Sequence, residues 1–299
     1  MVWFSYHGGH SGAFCRHAKD SLEEVVARAI AAGFTHYGLS EHAPRFRAED
    51  IFPDETDLGP DGLQAAFRRY ADEAFRLRDA YRDRISLLVG FETERLPPAD
   101  WQTRMREIRD SAPFDYVVGS VHDIDGMVVD VSAERTAAIA EALGGREAMQ
   151  IRYFRALAEL VSTLRPEVVG HVDLIRKFDG PEARFPPAVM REIERVLEAA
   201  REANSALDVN CGAYRRGLGP VYPLPQILER AHAMGLRVTL GDDSHGVGTV
   251  GVGLDACLAA IAAAGYEQLS YLERDGASII WRNAALTEVK PAAVKRQRT

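Results

Sequence analysis

Nine side chains carry most of the chemistry legible in this chain: His7, His10, His17, His42, His122, His171 and His245, with Glu92 and Asp243. Neutral imidazoles mixed with carboxylates make a hard-to-borderline donor set, which suits zinc, iron or manganese rather than calcium. Three of the rings crowd into the opening stretch Tyr6-His7-Gly8-Gly9-His10 to His17, where glycines free the backbone to turn the rings toward one centre. Any single histidine here could be a packing residue, and a polar loop can gather histidines without binding anything. Taken jointly, the nine are hard to explain that way. At about four protein ligands per ion, with a carboxylate able to bridge, they imply two or three divalent metal ions.

Donors scattered this widely must be delivered by regular elements. Apolar, β-rich runs at 2–6, 36–40, 85–91, 116–121, 166–170, 206–209 and 237–240 alternate with helical stretches at 22–32, 63–82, 101–108, 147–164, 187–204, 224–234 and 254–264. Seven β-then-α units predict a parallel α/β sheet, closed most economically as a seven-stranded (β/α)7 TIM-like barrel; an open doubly wound sheet is the alternative. His7 with His10, His42, Glu92, His122, His171, and Asp243 with His245 each follow the carboxyl end of a run. In a barrel those ends meet on one face, where such folds place their active sites. His36 opens a strand and His232 lies inside a helix, so both read as packing or surface residues. Asp125-Gly126 marks a small hairpin over 124–129, and Asp275-Gly276 joins 269–272 to 278–281 as a terminal one. The reading is one domain over 1–285, followed by a basic, flexible tail over 286–299.

Composition narrows the classes. The chain has 299 residues, 46% hydrophobic and 27% charged, enough for one large core. A formal net charge of −8 argues against nucleic acid as a partner, because backbone binding needs a basic surface. It leaves room for a small anionic substrate, since divalent metals and a few arginines make one pocket positive on an acidic protein. No apolar run approaches the roughly 20 residues of a membrane span, and residues 1–20 lack a secretory layout. Three cysteines, Cys15, Cys211 and Cys257, make a poor disulfide framework and suit a reducing, cytoplasmic setting.

The ordered set HGGH, a following histidine, SEH, GFE, SVH, GHVD and DSH resembles the polymerase-and-histidinol-phosphatase (PHP) superfamily, and within it the histidinol-phosphatase family. Gly170-His171-Val172-Asp173-Leu174-Ile175-Arg176-Lys177-Phe178, Asn210 with Arg215, and Val221-Tyr222-Pro223 add to the likeness, which spans roughly residues 5 to 282. The resemblance implies a trinuclear metallo-phosphoesterase on a distorted (β/α)7 barrel. It implies that His7, His10, Glu92 and Asp243 hold one metal, that Glu92 bridges to a second held by His122 and His171, and that His17, His42 and His245 hold a third. Two glycines separate His7 from His10 where the family's usual pair has one residue between its histidines, so the assignment rests more on His7 than on His10.

Charge supplies a mechanism. Three divalent ions offset by two carboxylates leave the site at about +4, which binds a phosphate dianion and lowers the pKa of a bridging water. The hydroxide so formed attacks phosphorus in line. Asp243, His245, Arg176 and Arg215 are the expected catalytic residues, with Arg176, Arg215, Asn210 and Lys177 expected to contact substrate; guanidinium forks suit phosphate oxygens. Asp173, Asp123, Glu41 and Asp242 adjoin ligand motifs and are expected to accept the second ring N–H of a histidine. The resemblance implies hydrolysis of L-histidinol phosphate in histidine biosynthesis. Alternatives are a phosphoesterase for another small monoester or nucleotide, a non-catalytic metal-binding scaffold, and amidohydrolase-like C–N hydrolysis.

Overall fold

The structure is a computed structural model that describes residues 1–52, 54–96, 99–180 and 183–290. In chain order it runs β1 (Phe4–Ser5), α1 (Leu22–Ala31), β2 (His36–His42), α2 (Gly59–Tyr81), β3 (Ser86–Glu92), α3 (Trp101–Ser111), β4 (Tyr116–Gly119), β5 (Asp123–Ile124), β6 (Met127–Val128), α4 (Ala133–Ala142) and α5 (Arg146–Leu164). It continues through β7 (Val168–Val169), α6 (Pro187–Ala203), β8 (Ala206–Asn210), α7 (Gly212–Arg215), α8 (Pro225–Ala233), β9 (Arg237–Gly241), α9 (Leu254–Ala263), β10 (Gln268–Asp275) and β11 (Ser278–Ala285).

Seven strands, in the order β1-β2-β3-β4-β7-β8-β9, form one sheet, and every neighbouring pair is parallel. The sheet curls until its edges meet: the Tyr6 N–H donates to the Leu240 carbonyl at 2.9 Å, and the Asp243 N–H to the His7 carbonyl at 2.7 Å. This is the nearly closed seven-stranded barrel expected from the β-then-α alternation. Its strands are buried on both faces, as β3 shows with Leu87, Leu88, Val89 and Phe91 all in the core, which is why they read as unbroken apolar runs. The β2–β3 register pairs His42 with Glu92, so two candidate donors leave the sheet side by side.

The helices form where the apolar stripe and caps agree. In α1 the Ser21 hydroxyl accepts from the Glu24 N–H while Glu24 reaches back to the Ser21 N–H, and Leu22, Val25, Val26 and Ala29 face the core. Two helices went unread in the sequence. In α4 only Thr136, Ile139 and Ala140 are buried, too narrow a stripe to announce itself. The other, α7, is a single turn.

Several boundaries differ from expectation. Of the expected strand 2–6 only Phe4–Ser5 pairs with β2, because Val2 bridges to Val289 instead. The expected strands 116–121 and 166–170 shorten to β4 and β7, and past β4 the Ser120 N–H turns to Thr93 Oγ1 at 2.9 Å. Beyond residue 285 the described chain packs on the barrel: Val289 is buried, and the Lys290 N–H donates to the Val2 carbonyl at 3.0 Å. The rest of the expected tail, 291–299, lies outside the described residues. Among the described residues no helix is long and apolar enough to cross a membrane.

Candidate metal centre

All nine donors lie at the carboxyl face of the barrel. Glu92, the last residue of β3, stands among the rings and is almost fully buried. Its Oε1 lies 3.0 Å from His7 Nε2, 3.2 Å from His171 Nε2 and 3.4 Å from His122 Nε2. Its Oε2 lies 3.1 Å from His42 Nδ1 and 3.9 Å from His10 Nε2. One carboxylate thus turns its two oxygens toward two sets of imidazoles.

The Gly8–Gly9 pair makes the first of these approaches possible. Both glycines have positive φ, 143° and 74°, and a Cβ on Gly8 would run into Asp242 Oδ1 and the Ser244 backbone nitrogen. The chain loops out there and still delivers both histidines: His10 is buried, with its ring 4.2 Å from that of His245 and 4.5 Å from that of His42.

Four rings are held so that Nε2 points inward. His7 Nδ1 meets Asp208 Oδ2 at 2.6 Å, His10 Nδ1 meets Glu41 Oε1 at 3.1 Å, His122 Nδ1 meets Glu94 Oε2 at 3.3 Å, and His245 Nδ1 meets the Asp243 carbonyl at 3.0 Å. A partner on Nδ1 fixes the tautomer and leaves Nε2 with a lone pair for a cation.

The donor atoms fit metals. His7 Nε2, His10 Nε2, His42 Nδ1 and Glu92 Oε1 are buried without a hydrogen-bond partner. His7 Nε2 and Glu92 Oε1 are close yet not aimed at each other, the posture of two donors facing a common point. His17 Nε2 stands 3.2 Å from His42 Nε2, and His122 Nε2 3.4 Å from His171 Nε2. Two nitrogens sharing one tetrahedral cation at about 2.0–2.1 Å would stand about 3.3–3.4 Å apart. Four groups converge to within 4.8 Å: His7 with Glu92 and His171, His7 with His10 and Asp243, His10 with His42 and His245, and Cys15 with His17 and His42.

The cage is electrostatically divided. Burial works against a charge on His7, but Glu92 and Asp208 outweigh it and hold the imidazole well above its ordinary value. His122 is raised in the same way, by Glu94 and Glu92 against burial. Burial drives His42 well below the ordinary value despite Glu92, and His245 well below it with the help of His10. Burial alone would raise Glu92 and Asp243, yet neighbouring rings hold both below the usual carboxylate range, His7 foremost for Glu92 and His245 for Asp243. Without metal, protons bind this network unevenly; divalent cations would take their place.

A cavity of about 570 Å³ opens above the cage, lined by His17, His42, Glu92, His122, His171, Asp243 and His245. Its walls carry Phe52 and Asp54 from the loop after β2, together with Glu94, Asp130, Val131, Leu174, Lys177 and Arg216. Lys177 is there as expected. Arg176 is not: it is buried, with Nε on Asp173 at 2.8 Å, Nη2 on the Val221 carbonyl at 2.6 Å, and its guanidinium over the Tyr222 ring. Arg215 is turned away as well, donating to the carbonyls of Asp242 and Asp243. Asn210 does not line the cavity either; its Nδ2 donates to Asp208 Oδ2 at 3.0 Å. Of the four acids expected to hold a ring, only Glu41 does. Asp173 is taken by Arg176, Asp123 accepts the Gly126 N–H, and Asp242 accepts Tyr37 and Gly251.

Sequence reasoning missed Asp208, Glu94 and Arg216. A signal was available for Asp208, which shares β8 with Asn210 two residues on, a spacing that puts both on one face, whereas Glu94 lies past the end of β3, where alternation no longer holds. Arg216 neighbours Arg215, and only the one-turn α7 decides which of the two reaches the cavity.

The PHP domain family model matches residues 7–212. A Schizosaccharomyces pombe protein named "Probable histidinol-phosphatase" is 33% identical over 287 residues, covering 94% of each chain. A histidinol-phosphatase of Saccharomyces cerevisiae is 27% identical over 83% of this chain and 85% of its own. Among solved structures, histidinol phosphate phosphatase of Lactococcus lactis superposes with a TM-score of 0.70 at 22% identity, covering 93% of this chain and 98% of that one, a likeness of fold. Barrel, cage and sequence agree, and the chain belongs to the PHP domain family.

Proposed function

We propose that the protein hydrolyses L-histidinol phosphate to L-histidinol and phosphate. The observation that carries this is Glu92, shared among five imidazoles at the floor of a cavity whose wall presents Lys177 and Arg216. His7, His10, Glu92 and Asp243 would hold one divalent cation, Glu92, His122 and His171 a second, and His17, His42 and His245 a third. When bound, such ions polarise phosphoryl oxygens and activate water.

The chain's own groups do the rest. Arg216 lies close enough to Asp243 to depress that carboxyl, and it offers a guanidinium to the phosphate. Lys177 is held at the wall by the Asp130 carbonyl at 2.6 Å and presents a second positive charge. Asp54 offers a carboxylate to the cationic end of the substrate, and Phe52, Val131 and Leu174 give its imidazole apolar surface. The curated relatives bear the histidinol-phosphatase name, and the Lactococcus lactis structure holds zinc, L-histidinol and phosphate. A reducing cytoplasm suits the free thiols of Cys15, Cys211 and Cys257.

Phosphate release across a panel of monoesters tests the reading. L-Histidinol phosphate should give the highest kcat/KM, and an efficiency no better than that for a generic aryl phosphate would refute it.

A further inference from the structure

The cavity wall and the cage are joined by a buried charge relay. Arg45, 2% exposed, leaves the sheet three residues after His42. Its Nη2 donates to Glu94 Oε1 at 2.9 Å, its Nη1 to Glu55 Oε2 at 3.1 Å, and its guanidinium carbon lies 3.6 Å from the centre of the Phe52 ring. Glu94, fully buried, turns its other oxygen to His122 Nδ1. Phe52 and Asp54 line the cavity, so the wall hangs on the same cation that anchors a carboxylate of the cage. Two carboxylates share this one buried guanidinium, and cutting either link leaves a buried charge uncompensated.

We propose that Arg45 is a positioning residue that couples the wall residues Phe52, Asp54 and Glu55 to metal held at His122; this rests on the reading that His122 is a ligand. Glu94 sets the tautomer and tilt of His122, Arg45 sets the rotamer of Glu94, and Glu55 with Phe52 sets Arg45. Coupling of this kind is reciprocal in binding free energy: a cation at His122 steadies the wall, and an occupant that steadies the wall tightens binding of the cation. An ion pair that only stabilised the fold would link neither event to the other.

The test uses the metal-loaded full chain and two readouts that need no substrate: the rate of metal transfer to a chelator, and amide hydrogen exchange around Phe52 and Glu55 in loaded and stripped protein. In the unaltered protein, loading is expected to slow that exchange. Arg45→Gln is expected to speed metal release, by at most the roughly 10–100-fold that losing a ring's direct partner costs, and to weaken the response of wall exchange to metal, the remainder passing through Asp54, 3.9 Å from His17 Nδ1. Glu55→Gln touches no metal ligand, yet it should also speed release several-fold, and it carries the test alone if Arg45→Gln does not fold. Variants that release metal at the unaltered rate, or walls that still respond fully to metal, overturn the coupling alone. Failure of the unaltered protein to load metal at all would overturn the coupling and the function reading together.

Discussion

Glu92 and Asp208 are both buried acids against His7, but they stand on opposite sides of its ring. Glu92 faces Nε2 and Asp208 faces Nδ1. Glu92→Gln removes the donor that both halves of the cage share, so elemental analysis should find less bound metal. Turnover should fall by more than the roughly 10–100-fold that loss of an outer partner costs. Asp208→Asn keeps the shape and loses the charge that fixes His7. It should weaken metal retention within that 10–100-fold range in chelator competition, with the fold intact. The adjacent arginines should separate cleanly. Arg216→Ala is expected to raise KM by roughly 10-fold, the scale of one charged hydrogen bond, with metal content unchanged. Arg215→Ala should instead lower the melting temperature, since the carbonyls of Asp242 and Asp243 lose their donor. The sequence offers two neighbouring arginines of equal chemistry, and their side chains point apart because Arg215 is the last residue of the one-turn α7 and Arg216 caps it.

At the scale of elements, the barrel closes through the turns after β1 and β9. Asp243 sits at φ 47°, a left-handed conformation that costs a non-glycine residue of order 1–3 kcal/mol, and its N–H is held by the His7 carbonyl. Gly8 packs directly against the same turn. Gly8→Ala should therefore destabilise the protein by about 1–3 kcal/mol in chemical denaturation and reduce bound metal as well. Ser21→Ala is the contrasting case. It removes the cap of α1, should cost about 1 kcal/mol, and should leave turnover unchanged. The strand ends were legible because each donor follows an apolar run that can only be buried. The shortening of β4 and β7 was not, because it depends on side chains such as Thr93 that capture backbone groups across the sheet.

For the whole molecule, the cage fastens the ends of strands far apart in sequence, so metal and fold are linked. The metal-free protein should be most stable near the ordinary imidazole value of about 6.5. Above it, stability falls as His7 and His122, whose folded values are raised, give up protons that the folded state holds more tightly than the unfolded one. Below it, stability falls because His42 and His245, whose folded values are depressed, refuse protons that the unfolded chain accepts. Metal binding needs unprotonated rings and strengthens as pH rises. The gain in melting temperature on loading should thus widen from roughly pH 6 to pH 8, as scanning calorimetry of loaded and stripped protein would record. A gain that narrows over that range would contradict this account of the cage.

The sequence by itself determined the β-then-α alternation, the strand ends at which the donors sit and the chemical class of those donors, while closure of the sheet into a barrel was decided by contacts between its two edges. The first three follow from local properties: apolar period, turn residues, and the kinds of atom each side chain offers. Only the tertiary structure decided that Arg176 is a packing cation, that Arg216 rather than Arg215 reaches the cavity, and that Asp208 and Glu94 aim the rings. An arginine or a buried acid takes its role from whichever partner lies within hydrogen-bond reach. For His7 and Asp208 that partner is 201 residues away along the chain and 2.6 Å away in space.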